Sequence, residues 1–245
     1  MARTGGSDAD APRGPRAERA RFPIPSALGR RRPGARPKLQ PVLGDRRLAA
    51  GTIALRRMTS VLAPGLLLSA PPLSDPNFER SVVLLSAHGP DGAFGWVLNG
   101  KESMSFSEML VRAGVSQTPP ALPGVVRVGG PVSPEQVWLI YPSDALAPEL
   151  EGQMLVAPGI CASASRKVLE AIADSKVPRG LITLMGYAGW APWQLENEIK
   201  VGAWLPTDVN PDIVFDTPPA ELWARAYQRV GASPMSFNTR TVGSA

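Results

Sequence analysis

The sequence has very few of the side chains that metal sites and nucleophilic enzymes require. Its 245 residues include one cysteine, Cys161, and one histidine, His88. A single cysteine cannot form an intramolecular disulfide, and the paired spacing of a zinc ribbon is missing. One cysteine and one histidine also cannot close a zinc site without scattered carboxylates. We therefore expect no metal, no cofactor and a reducing, cytoplasmic environment.

Long hydrophobic runs and catalytic signature motifs are missing as well. Even the apolar stretch Val61 to Leu73 is interrupted by Pro64, Gly65 and Pro71, whereas a membrane-spanning helix needs about 20 apolar residues in a row. The sequence contains neither the Gly-x-Ser-x-Gly motif of a serine hydrolase nor a P-loop. Its N-terminal region lacks the apolar segment of a secretory signal. These absences predict a soluble protein without a membrane span.

Charge is distributed unevenly along the chain. Residues 1–57 hold 14 Lys and Arg against 4 Asp and Glu, a net charge of +10, whereas residues 58–245 hold 12 against 17, a net charge of −5. The first segment also contains seven Pro and seven Gly without helical or strand periodicity, a composition that predicts disorder. It could be an arm that binds polyanions without selectivity, a targeting presequence, or a segment upstream of a true start at Met58. We favour the start at Met58.

The rest of the chain alternates between strand and helix patterns. Apolar runs bounded by Pro and Gly predict strands at 66–68, 81–86, 94–98, 125–128, 137–141, 153–156, 181–185 and 213–215. Capping residues and apolar faces predict helices at 106–113, 192–200 and 217–230, and a further helix that Ser163 or Ser165 caps and that runs to about residue 176. They also predict a single capped turn at 133–136, and the residues at 236–245 are expected to form a tail. The mixture of hairpin-like and crossover-like connections favours an α+β fold.

Polar residues in the first long loop are candidates for a site. Asp75 is expected to bind backbone N–H groups two residues on, and Arg80 to pair with a buried carboxylate such as Asp216. The loop is then either a structural connection or an edge that binds a partner. His88 is expected to hydrogen-bond backbone groups within its own Gly89–Gly92 turn rather than to act as a base.

Glycines that follow apolar strands are a second candidate. Gly129-Gly130 and Gly186 to Gly189 could lie side by side and form a shallow cleft, although tight strand-to-helix packing is the favoured interpretation. Trp190 is expected in the core. Cys161, at a predicted helix start, is expected to be an inert buried residue. Glu196 and Glu198 alternate along one helix, so only one of them should face inwards.

Five motifs in order carry a resemblance to a known family. They are Leu62-Ala-Pro-Gly65 with Asp75-Pro-Asn-Phe-x-Arg-Ser-Val-Val83, His88 with Asp91-Gly92 and Gly95-x-Val-x-Asn99, Gly129-Gly-Pro-Val132, Gly186-Tyr-Ala-Gly-Trp190 with Gln194-Leu-Glu196, and Phe215-Asp-Thr-Pro218 with Trp223. Over about residues 58–232 the chain resembles the YqgE/AlgH family of small bacterial proteins. Positions 191 and 193, which often hold Gly in that family, are Ala191 and Trp193 here.

The resemblance implies one α+β domain, taken as 58–235, with a bent or bifurcated, mixed and largely antiparallel sheet flanked by helices. Members have been called transcriptional regulators, and no settled biochemical activity accompanies the family. Together with the loops described above, it nominates these binding residues: Asp75, Asn77, Arg80, His88, Asn99, Gly129, Gly130, Gly186, Tyr187, Gly189 and Trp190.

The function that we expect is regulation through an unidentified protein partner or small ligand, without catalysis. Residues 58–245 are acidic and carry no Lys/Arg stripe or helix-turn-helix spacing, so we expect no sequence-specific DNA binding from them. The alternative is a small-molecule-binding protein or weak hydrolase that uses the Gly129/Gly186 cleft with His88.

Overall fold

Within the residues that the structure describes, ten β-strands form one sheet in which most neighbouring strands run antiparallel. The computed structural model describes residues 62–118, 120–148, 150–174 and 177–232. The strands are β1 (Gly65–Ser69), β2 (Val82–Gly89), β3 (Gly92–Val97), β4 (Glu102–Ser105), β5 (Val125–Val128), β6 (Val132–Pro142), β7 (Met154–Ala157), β8 (Ile160–Ser163), β9 (Ile182–Trp190) and β10 (Trp204–Thr207). The helices in this part of the chain are α1 (Phe106–Arg112), α2 (Arg166–Asp174), α3 (Gln194–Lys200), α4 (Pro211–Phe215) and α5 (Pro219–Arg229).

The sheet divides at β9. This strand pairs antiparallel with β6, in parallel with β5 at residues 183–185, and antiparallel with β3 at residues 188–190. From β3 the strand order continues through β2 and β1 to β10, and from β6 it continues through β8 to β7, while β4 pairs with β5. The predicted α+β class, with a bifurcated and largely antiparallel sheet, is confirmed.

Local sequence signals explain where several helices begin. Ser105 precedes α1, and its Oγ accepts a hydrogen bond from the Glu108 amide at 3.1 Å, as the Ser-x-x-Glu spacing predicts. Pro219 occupies the first turn of α5, where a missing N–H costs nothing. Both helices then bury one apolar face against the sheet.

Three apolar clusters lie between the sheet and the helices. The first contains Trp96 and Leu184 of the sheet with residues of α4 and α5. The second contains Val126 with residues of α1 and α2, and the third joins β1, β2, β3, β9 and β10 to Leu195 of α3. Each helix is therefore held by one buried face.

Some predicted elements are wrong, and each has a local cause. Residues 213–215 form part of α4 rather than a strand, because Asn210 Oδ1 caps this helix by accepting from the Asp212 amide at 2.8 Å. The predicted turn at 133–136 is an irregular part of β6, in which Ser133 has a φ of 46°. Cys161 lies in strand β8 rather than at a helix start, and α2 begins at Arg166, directly after Ser165, one of its two predicted caps.

β9 continues beyond its predicted end at residue 185. Residues 186–190 remain in the sheet, because the backbone of residues 188–190 pairs with β3. The predicted extension at 1–57, the start at Met58 and the tail at 236–245 lie outside the described residues.

Candidate functional site

The first candidate loop, between β1 and β2, is held by hydrogen bonds within the chain. Asp75 Oδ1 accepts from the Asn77 amide at 2.8 Å, as predicted for this residue spacing. Asn99 fixes the end of the same loop, because its Nδ2 donates to the Arg80 carbonyl at 2.9 Å and its Oδ1 accepts from the Val82 amide at 2.8 Å. These contacts make Asn99 a link between β3 and the start of β2.

The predicted pairing of Arg80 with Asp216 is wrong. The Arg80 guanidinium lies over the ring of Trp223, with its central carbon 5.5 Å from the ring centroid, a cation–π arrangement. Asp216 instead faces Arg179 at 3.9 Å on an exposed surface. Sequence spacing does not reveal the contact between Arg80 and Trp223, because it joins residues that are far apart in the chain, and Asp216 is exposed rather than buried.

The two glycine pairs do lie side by side, and close backbone packing, the favoured interpretation, occupies the place of the alternative cleft. The Gly129 amide donates to the Met185 carbonyl at 2.7 Å. A Cβ on Gly130 would collide with the backbone of Tyr187, and one on Gly186 would collide with the Gly130 carbonyl. These glycines therefore let two chain segments touch, and the space for a ligand between them is filled.

The other predicted residues of that region lie on opposite faces of β9. Tyr187 packs against Phe94, with ring centroids 4.7 Å apart, beside the exposed backbone of Gly189. Trp190 is 3% exposed, and it packs on the other side against Phe78 and Trp204. The expectation that Trp190 lies in the core is confirmed.

His88 contacts α3 instead of its own turn, which corrects the prediction. Its Nε2 lies 2.9 Å from Glu196 Oε1, and the two side chains are 16% and 27% exposed. A carboxylate paired with an imidazole in this way fixes the orientation of the ring. A hydrolase that used the ring as a base would also need a nucleophilic hydroxyl or thiol within reach of it. In the described part of the chain, no hydroxyl or thiol hydrogen-bonds with His88. The pair therefore serves to join the β2–β3 hairpin to α3.

Glu198 is a polar centre that the sequence interpretation missed. Its Oε2 accepts from the indole Nε1 of Trp190 at 2.9 Å and from that of Trp204 at 2.7 Å. Its Oε1 accepts from Gln194 Nε2 at 2.8 Å. Both Glu196 and Glu198 thus face the sheet, contrary to the expectation for alternating positions. The Gln194–Glu198 spacing of four residues was the one signal that could have indicated this centre.

The network leaves one turn and one hairpin tip exposed beside it. Trp193, between β9 and α3, is 68% exposed and has a φ of 65°. Pro90 and Asp91 at the tip of the β2–β3 hairpin are also exposed, and Gly92 packs against the backbone of residues 190 and 191. We name residues 90–91 and 191–193 together the Trp193 surface.

Cys161 and the acidic residues that the structure describes were the remaining candidates for a nucleophile or a metal site. Cys161 is buried in β8, and burial raises the pKa of its thiol, so it is kept in its less nucleophilic form. Over the residues that the structure describes, no group of three or more His, Cys, Asp or Glu side chains could hold a metal ion. The same residues include no helix that is long and apolar enough to cross a membrane.

Comparisons with known proteins agree on one family. The model of the AlgH-like family DUF179 matches residues 66–235. A UPF0301 protein of Anaeromyxobacter sp. (strain K) is 39% identical over 181 residues, covering 72% of this chain and 91% of the relative. A UPF0301 protein of Paracoccus denitrificans is 34% identical over 181 residues, covering 74% and 95%.

Solved structures show the same fold. The solution structure of the AlgH protein from Pseudomonas aeruginosa is 32% identical, has a TM-score of 0.61, and is matched over 76% of this chain and 97% of that one. The crystal structure of protein DIP2367 from Corynebacterium diphtheriae is 25% identical, with a TM-score of 0.56 and coverage of 68% and 86%. Together with the sequence motifs and the bifurcated sheet, these relatives show that the chain belongs to the YqgE/AlgH family.

Proposed function

We propose that this protein is a regulatory binding protein that acts through a protein partner, without a catalytic step. The observation that carries the proposal is the Trp193 surface, where a large aromatic side chain is 68% exposed. Tryptophan is enriched among the residues that contribute most to protein interfaces. The loop at residues 75–80, which the sequence also offers as an edge for a partner, is a weaker candidate because its polar groups form hydrogen bonds within the chain.

The surroundings of Trp193 support a preorganised contact. The His88–Glu196 pair at 2.9 Å holds the hairpin against α3, and Glu198 holds α3 against two buried indoles of the sheet. Both ends of the Trp193 surface are thus tied to rigid elements. Binding at such a surface costs less conformational entropy than binding that must first order a free loop of this protein.

A small ligand is supported less well. A cavity of about 210 Å³ lies between β5, β9, α4 and α5, with Arg127 on its wall. The guanidinium of Arg127 already donates to Glu102 at 2.7 Å and to the Gly100 carbonyl at 3.2 Å. Its charge is therefore largely satisfied within the chain, and we favour the protein partner.

Regulation of transcription would then be indirect. Residues 58–245 carry a net charge of −5, which repels the phosphate backbone of DNA. We propose that residues 58–235 form the functional unit and that it acts in the cytoplasm. Sequence-specific DNA binding by the full chain that survives excess random duplex would contradict the indirect role.

The test of partner binding is site-specific photocrosslinking in living bacteria. A photoreactive phenylalanine replaces Trp193 in one variant and Val201 in a control variant, since Val201 is 82% exposed at the far end of α3. We expect a discrete protein adduct from position 193 and none from position 201. The partner is then purified, and its binding to the unmodified protein is measured by calorimetry. Equal labelling from both positions, or no binding after purification, would refute the proposal.

A further inference from the structure

Trp193 occupies a backbone position that is unfavourable for any residue with a side chain. Its φ of 65° lies in the left-handed region, where glycine is the residue of lowest energy. Trp193 precedes α3 as its N-cap, yet its side chain makes no capping hydrogen bond. The indole therefore does not stabilise the helix start in return for the strained backbone.

The ring of Trp193 also differs from the other tryptophan rings in its exposure and contacts. The tryptophans at 96, 190, 204 and 223 are at most 7% exposed, and Trp138 packs against other aromatic rings. Within the described residues, the ring of Trp193 has no aromatic or cationic partner. A strained and exposed aromatic residue of this kind is typical of a binding position.

Charge around the ring indicates what could bind there. The β2–β3 hairpin and the segment from the end of β9 into α3 contain the acidic residues Asp91, Glu196 and Glu198. Lys200 also belongs to α3, but it lies in the last turn, at the other end of the helix from Trp193. Asp91 is exposed at the hairpin tip and forms no ion pair with any described residue. The formal charges of these segments thus favour a cation over a phosphate or a carboxylate.

From these observations we propose that the Trp193 surface binds an arginine-containing basic segment of a partner protein, with a guanidinium stacked on the indole. Tryptophan gives the strongest cation–π contact, and arginine forms it more often than lysine because its planar group can stack. Asp91 supplies an unpaired carboxylate for a second basic residue. The inference rests on the proposed function, since it specifies the partner for the same surface.

The test uses short synthetic peptides with the full-length protein. Tetra-arginine is titrated against ¹⁵N-labelled protein, and the indole N–H signal of Trp193 is identified by its loss in Trp193→Gly. We expect tetra-arginine to shift this signal, tetra-lysine to bind several-fold more weakly, and tetra-glutamate to leave it unchanged. A shift with tetra-glutamate, or none with tetra-arginine, would overturn the inference.

The variant Trp193→Gly separates binding from folding. Glycine suits a φ of 65°, so we expect a melting temperature at least equal to that of the natural protein, while the affinity for tetra-arginine falls about 5- to 10-fold. Asp91→Asn should weaken binding about 2- to 3-fold and reduce its dependence on salt. Val201→Ala is the matched control and should bind normally. An unchanged affinity in Trp193→Gly would refute the stacking contact.

The two proposals can fail separately. A photocrosslinked partner whose labelled segment contains no basic residue would leave the proposed function in place and overturn the inference. Binding of tetra-arginine at Trp193 without any cellular adduct would contradict the proposed function while supporting the preference for arginine that the inference assigns to this surface.

Discussion

Removing the Glu198 carboxylate should destabilise the protein more than its half-buried position suggests. Glu198 accepts two indole hydrogen bonds, at 2.9 Å from Trp190 and 2.7 Å from Trp204. These tryptophans are 3% and 4% exposed, so in Glu198→Ala their N–H groups lose their acceptor in a mostly dry environment.

The expected loss follows from the cost of a buried donor without a partner. That cost is about 1 to 3 kcal/mol for each group, and two groups give about 2 to 6 kcal/mol. Water can enter from the half-exposed side of α3, and alanine gains a few tenths of a kcal/mol in helix propensity. We therefore expect Glu198→Ala to lower the free energy of unfolding by about 2 to 3 kcal/mol.

Urea unfolding at neutral pH measures this value, and Glu170→Ala is the control. Glu170 also forms a hydrogen-bonded pair within a helix, with Arg166 at 2.7 Å, but both side chains are well exposed, so its loss should cost at most about 0.5 kcal/mol. Combining Glu198→Ala with Trp204→Phe should show a coupling energy of about 1 kcal/mol or more. A Glu198→Ala effect within 1 kcal/mol of the control, or additive double mutants, would refute the reasoning.

Three further predictions concern other parts of the fold. Gly130→Ala should lower the unfolding free energy by more than about 4 kcal/mol, because its φ is 146° and a Cβ would meet backbone atoms. Gly114 has a φ of 65° and open space around it, so Gly114→Ala should cost only about 1 to 2 kcal/mol. Equal losses for the two variants in urea titrations would contradict this. Burial raises the pKa of Tyr227 to about 12, so its stabilising effect is fully present below its unfolded pKa of about 10 and is lost as the pH rises towards 12. In Tyr227→Phe the unfolding free energy should therefore fall less steeply over that pH interval than in the natural protein. The same pH dependence in both proteins would contradict this. Cys161 is 8% exposed, and burial raises the pKa of its thiol, so a disulfide reagent should modify it at least about 100-fold more slowly in the native protein than in urea. Labelling of the native protein at a rate close to that in urea would contradict this.

The sequence predicts much of the fold because its local signals agree with the tertiary structure. The Ser105 cap defines the start of α1, and Pro219 lies in the first turn of α5. The turn around Pro90 and Asp91 correctly separates β2 from β3. At residues 213–215 the apolar run alone does not distinguish a buried helix from a strand, and the signal that does is the preceding pair of Asn210 as cap and Pro211 in the first turn.

The candidate site could be predicted only in part. The bond from Asp75 to the Asn77 amide spans two residues, so spacing is sufficient to infer it. The contact between His88 and Glu196 joins residues 108 positions apart, and no local pattern specifies it. Trp193 is visible in the sequence as a departure from the family's glycine, but its exposure appears only once α3 and the hairpin are in place.

By itself, the sequence determined the family, the α+β class, the main helix starts and the charge contrast between the first 57 residues and the rest, because these properties depend on residue type and short spacing. Only the tertiary structure decided that the glycines at 129, 130 and 186 pack backbone against backbone, that Glu196 and Glu198 both face the sheet, and that Trp193 remains exposed. The reason is that these properties depend on which strand pairs with β9 and where α3 lies across it, and such long-range pairing is set by the packing of the whole sheet.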